Sequence, residues 1–153
     1  MKKFGLMILI ILLALPLFGC SQNTSPALSD VEADLIASGE TQGMIKADGK
    51  ALKRFYGLNI SDFEEVAVYS PSNYMDVSEM LIIKSKDVAQ LDLIEIAIDT
   101  RVAKQLESFS GYGPEQCALL ENYEIKIIGN TLFYCVSPDA ANLKNTFKKS
   151  MKN

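Results

Sequence analysis

Side chains able to do chemistry are sparse in this 153-residue chain, which has three cysteines and no histidine. The commonest general base is therefore missing. So are Ser-His-Asp and Cys-His nucleophile systems and zinc sites that use histidine. Gly111-Tyr112-Gly113 runs straight into Pro114, and no glycine loop ends in Lys-Ser or Lys-Thr, so no phosphate cradle is present. Lys84-Ser85-Lys86 is formally a Ser–Lys pair, but it stands between an apolar run and Asp87 and reads as a strand end leading into a helix cap. Asp92, Glu95 and Asp99 line up along one side of a helical stretch. They could hold Ca²⁺, although no loop carbonyls stand nearby to complete six or more oxygens. The plainer reading is a solvated face, acidic early and basic later at Arg101 and Lys104, as the helix dipole favours. Tyr112, between two glycines, is either presented as a binding contact or folded back onto the core. The inventory leads us to expect no enzyme, no cofactor and no metal.

The remaining reactive group is the thiol of Cys20. Lys2 and Lys3 give a basic start, Leu6 to Leu15 is apolar, and Pro16 breaks a helix before the small residue Gly19. Leu17-Phe18-Gly19-Cys20 resembles the lipobox of bacterial lipoproteins, with Phe18 bulkier than the usual residue at its position. The resemblance implies that Cys20 receives a diacylglyceryl group and becomes the first residue after cleavage, so that 1–19 is a signal peptide. An uncleaved span is disfavoured by length. Phe4 to Gly19 is sixteen residues, or about 24 Å of helix against a hydrocarbon core of roughly 30 Å. Two acyl chains would suffice for stable anchoring.

Removing Met1–Gly19 takes away Lys2 and Lys3 and no acid. That leaves 134 residues with 13 basic and 19 acidic side chains, a net charge of about −6. No basic face is visible, so nucleic acid is not an expected partner. Residues 20–44 read as the lipidated cysteine, a polar tether (Ser21 to Pro26) and a short helix, Asp30 to Ala37. Residues 45–153 read as a single α+β domain. Cys117 and Cys135 either pair as a disulfide outside the cytoplasm or remain two buried thiols.

Within that domain the pattern predicts a helix from Ile45 to Tyr56, then strands at Glu65–Tyr69 and Glu79–Lys84. Asp87 caps a long helix to about Phe109, with Leu91, Ile94, Ile98, Val102, Leu106 and Phe109 on one stripe, widened by Leu93, Ile96 and Ala97. Pro114 opens a short helix. Tyr123–Ile128 and Thr131–Val136 pair through Gly129-Asn130, a two-residue loop suited to a type II′ turn. That register puts Ile127 opposite Leu132 and Ile125 opposite Tyr134 on the core face, and Lys126 opposite Phe133 and Glu124 opposite Cys135 on the other. A last helix carries Leu143 and Phe147 inward. The expected architecture is a four-stranded, mostly antiparallel sheet of two hairpins, a ββα repeat in outline, with helices packed on one face. The second face, with Phe133, Cys135 and Ile128, would then be an apolar patch for binding unless the N-terminal helices cover it.

The segments Leu52-Lys53-Arg54-Phe55-Tyr56-Gly57, Val66-Ala67-Val68-Tyr69 and Lys84-Ser85-Lys86-Asp87 belong together with Arg101 and Gln105, Tyr112-Gly113-Pro114 and Ile128-Gly129-Asn130. Through them the region from about Ala51 to Phe147 resembles bacterial lipoproteins of the family called domain of unknown function 4358. The resemblance brings no activity or catalytic residue, and implies that Cys20 faces the outside of a single membrane. The functional expectation is a lipid-anchored, non-enzymatic binding or accessory domain at the outer face of the cytoplasmic membrane, with an envelope protein as partner. The alternative is a small-ligand or cation-binding lipoprotein that uses the acidic helix line or a groove beside Tyr112.

Overall fold

The computed structural model describes residues 25–152; the expected signal peptide, Cys20 and the expected tether as far as Thr24 lie outside the described residues. Five helices and five strands follow one another: α1 (Leu28–Ala37), β1 (Met44–Ala47), α2 (Gly49–Tyr56), β2 (Glu65–Pro71), β3 (Glu79–Lys84), α3 (Leu91–Phe109), α4 (Pro114–Glu121), β4 (Glu124–Ile128), β5 (Thr131–Val136) and α5 (Ala140–Ser150). The strands form one open antiparallel sheet in the order β1-β2-β3-β5-β4.

The sheet therefore has five strands rather than four. Met44-Ile45-Lys46-Ala47 pairs with Ser70-Pro71 and the residues before them as an edge strand, where the sequence reading had begun a helix at Ile45. The helix starts only at Gly49, because the Asp48 carboxylate accepts the N–H groups of Lys50 and Ala51 at 3.0 and 3.2 Å and caps the first turn there. It ends at Gly57, whose φ of 73° is a left-handed conformation suited to glycine.

Helices pack on both faces rather than one. On the first face α2, α3 and α4 bury Leu52, Ile94, Ile98 and Leu120 against Leu81, Ile83, Leu132 and Tyr134. On the other, Leu28, Val31 and Leu35 of α1 and Leu143 and Phe147 of α5 cover Ala67, Tyr69, Met80, Ile82 and Phe133. α1 packs on the same sheet as the strands and helices that follow it. Its central strands β3 and β5 are apolar on both sides because both sides are covered. With α3 and α5 on opposite faces, no two-fold axis normal to the sheet relates the two ββα segments.

The β4–β5 hairpin has the expected register, Glu124 to Ile128 opposite Cys135 to Thr131. Gly129 takes φ 60°, and among the described residues no residue other than glycine has a positive φ, as a type II′ turn requires of Asn130. Asp87 forms a capping box with Gln90 ahead of α3. Along α3 the expected stripe is buried apart from a partly exposed Leu106, but Leu93 and Ile96 do not widen it: they are 62% and 61% exposed.

Candidate functional site

A carboxylate lies almost completely buried at the start of β3. Glu79 has 1% of its side chain exposed and meets Arg101 of α3, which has 17%. Burial of an unpaired charge costs several kcal/mol, so such a group survives only when its oxygens are saturated. Here they are. Arg101 Nε and Nη2 donate to Glu79 Oε2 at 3.2 and 2.9 Å, and the Tyr134 hydroxyl of β5 donates to Oε1 at 3.0 Å. Gln105, one turn beyond Arg101, is placed to donate its amide N–H to Glu79 Oε1 at 3.2 Å and to accept from Arg101 Nη2 at 3.0 Å. The Tyr56 hydroxyl of α2 is buried beside this group and has no hydrogen-bond partner among the described residues. Burial first, and then the charge of Glu79, push the hydroxyls of Tyr56 and Tyr134 well above the ordinary tyrosine pKa. The network ties α3 to the neighbouring strands β3 and β5, with Tyr56 of α2 packed beside it.

Above it the surface opens. A cleft of about 510 Å³ runs between α2 and α3 on one side and the β1–β2 edge with the β2–β3 loop on the other. Ile45, Phe55, Pro71, Tyr74 and Phe109 give it apolar walls, and Ser70, Ser72, Asn73, Gln105 and Ser108 give it polar ones. Arg54, Arg101 and Asp76 are its charged residues. The guanidinium carbons of Arg54 and Arg101 each lie 4.5 Å from the centroid of the Phe55 ring, a cation–π distance. Arg54 is exposed and makes no ion pair among the described residues. Tyr74, fully exposed, stands at the mouth.

The loop that carries Tyr74 is fixed from below. Asn73 Oδ1 accepts the Met75 N–H at 2.9 Å. Asp76 Oδ1 accepts both the N–H and the hydroxyl of Ser78 at 2.9 and 2.8 Å. The Ser72 N–H donates to the Gly43 carbonyl at 2.8 Å. Gly43 has φ 82°, and a methyl group there would come within 2.9 Å of Asp76 Oδ2, so only glycine fits beneath the loop.

The residues nominated from sequence lie elsewhere. Asp92 and Asp99 are exposed on α3 and Glu95 is half-buried; Asp99 accepts the Tyr123 hydroxyl at 3.0 Å. Among the described residues no three acidic, cysteine or histidine side chains come together as a metal site. Tyr112 is 60% exposed, yet its ring packs on Phe109 at 5.6 Å, so it backs one wall of the cleft without lining it. Phe133 is fully buried and stacks on Phe147 at 5.1 Å, so the patch expected around it is covered by α5 and α1. Ser85 is buried and donates to the Asn130 carbonyl at 3.0 Å. Lys84 is held by Glu64 and Glu65 at 2.9 and 3.3 Å, and its pKa is raised, chiefly by the hydrogen bond to Glu64. Cys117 and Cys135 are free thiols. Cys117 packs on the α3 side of the sheet and Cys135 on the α5 side, so the sheet itself separates them.

Glu79 escaped the sequence reading because it looks like the polar start of a strand. A carboxylate opening an otherwise apolar run, with an arginine on the facing helix, was the available signal. The sequence family described as "Domain of unknown function (DUF4358)" matches residues 37–137, well over half of the chain. That span contains every residue of the cleft and of the Glu79 network. No curated protein and no solved structure matches the chain.

Proposed function

The chain belongs to the DUF4358 family, and from that premise we propose that it is a lipid-anchored, extracytoplasmic domain that binds and does not catalyse. It would be held by Cys20 at the outer face of the cytoplasmic membrane and serve an envelope component there. The observation that carries this reading is the open cleft beside Phe55, whose volume of about 510 Å³ lies in the range of small-molecule and side-chain recognition sites. Its polar groups sit on a rigid base, the Glu79–Arg101 pair and the Gly43-braced loop, which is how a binding site keeps its geometry before its ligand arrives.

The N-terminal pattern supports the anchor. From Cys20 to Leu28, the first residue of α1, the chain can reach at most about 30 Å, so the domain would work close to the bilayer. The absence of histidine and the commitment of Ser85 and Lys84 to structural partners favour binding over catalysis. A photo-cross-linking residue in place of Tyr74, in living cells, is expected to capture an envelope protein or polymer. The same residue in place of Lys149, on the opposite face, is not. Equal capture at the two positions, or none at either, would defeat the proposal. Among the alternatives, a small-ligand lipoprotein is favoured by the same cleft.

A further inference from the structure

We propose that the cleft takes a small monoanion, a carboxylate carried on an apolar body, with the carboxylate held by Arg54 and Arg101. This assignment of ligand class rests on the reading of the cleft as a binding site. The five N–H donors of Arg101 can be accounted for one by one. Nε and both protons of Nη2 are spent on Glu79 and Gln105. Nη1 makes no hydrogen bond among the described residues, so its two donors are left for the cleft that Arg101 lines. Arg54 is the uncommitted cation of the same wall. Both guanidinium carbons lie 4.5 Å from one ring centroid, so they are no further apart than twice that distance. A carboxylate at this wall can accept from Arg101 Nη1 while lying close to the charge of Arg54.

The charges also limit the ligand. Glu79 neutralises Arg101 from beneath, and Asp76 is a second acid in the wall, although its Oδ1 is occupied by Ser78 and its Oδ2 lies over Gly43. Two arginines and two acids leave the cleft without net charge, so a monoanion held at Arg54 adds one unbalanced charge where a dianion adds two. A dianion such as phosphate would face two carboxylates with only two arginines. Ile45, Pro71, Phe109 and the exposed ring of Tyr74 leave apolar surface for the body of the ligand and little reason for a bare inorganic anion to stay.

The test titrates benzoate and its neutral counterpart benzamide against the intact chain in non-ionic detergent, read by ligand-observed NMR. Benzoate is expected to bind more tightly than benzamide by about fivefold, the scale of a solvent-accessible ion pair. That preference should vanish in Arg54→Gln, an exposed substitution that leaves the core alone, and persist in Lys149→Gln on the opposite face. Benzamide binding as well as benzoate would overturn the anion assignment while leaving a binding cleft. An unchanged preference in Arg54→Gln would overturn it too. Failure of both compounds to bind at tens of millimolar would remove the carboxylate class; capture through Tyr74 would then decide separately whether the cleft binds a larger partner.

Discussion

Glu79 gains its place only through its partners, and the consequences of removing one follow from that dependence. Arg101→Ala would strand a buried carboxylate, a change that typically costs about 3–5 kcal/mol, and urea unfolding at pH 7 should show a loss of that size. Arg101→Lys keeps the charge but loses the planar fork, and should fall between the two. The tyrosines around Glu79 make a second prediction. The hydroxyls of Tyr56 and Tyr134 and the thiol of Cys135 are all raised in the fold, with burial as the leading cause. Groups raised above their unfolded values contribute stability that is complete below those values and is lost as pH rises. The decline should begin near pH 9 as the unfolded thiol ionises and steepen above 10 with the tyrosines. Cys135→Val should remove the first part of it. A stability flat from pH 8 to 11 would contradict this account. Little of the site was legible at this scale. Arg54-Phe55-Tyr56, Arg101 and Gln105 stand out as segments that carry the family resemblance, yet only the fold brings them to Glu79, which sits in sequence among ordinary strand residues.

The α2 helix shows how far a short element can matter. Its eight residues bring Arg54 and Phe55 to the cleft and Tyr56 to the buried network, and one cap starts it. Asp48→Ala should cost about 1 kcal/mol in unfolding, and amide exchange should quicken at Lys50 and Ala51, whose N–H groups the carboxylate holds. Strong local signals read well: the Asp87 cap, the stripe of α3, and the β4–β5 register down to Gly129. The missed element was weak in the same terms. Met44-Ile45-Lys46-Ala47 is too short to show alternation, and its apolar residues blend into those of the helix behind it. Asp48-Gly49 marked the junction. The run Met80-Leu81-Ile82-Ile83 also held a usable sign, since a strand apolar without alternation must be covered on both faces.

The described residues form a sheet between two helical layers, and that arrangement rests on contacts between residues far apart in the chain. β3 beside β5 joins Glu79 to Val136, and α1 meets α5 where Ser150 donates to Asp34 at 2.6 Å. No local pattern announces such pairings, which is why the order of strands and the second helical layer were not legible. At this scale the anchor makes the prediction. Cys20→Ala should shift the protein from the membrane fraction to the soluble one, or arrest its maturation, as seen by fractionation and immunoblotting; a variant processed and sedimenting with membranes as before would refute the lipid attachment. If the attachment holds, the position of α1 acquires a mechanical meaning. A domain fastened at its N-terminus and gripped at its cleft is under tension, and the load enters through α1. This helix is held by the buried Leu28, Val31 and Leu35, by Leu28 N–H on Glu65, by Tyr69 and Lys46 on Glu32 and by Ser150 on Asp34, with no backbone ladder to the sheet among the described residues. Under a pull it would peel first, baring Tyr69 and Met80, while the opposite face with its cleft kept its shape. Were the anchor and the ligand both engaged, the layer that takes the load would be the one on the far side of the sheet from the cleft.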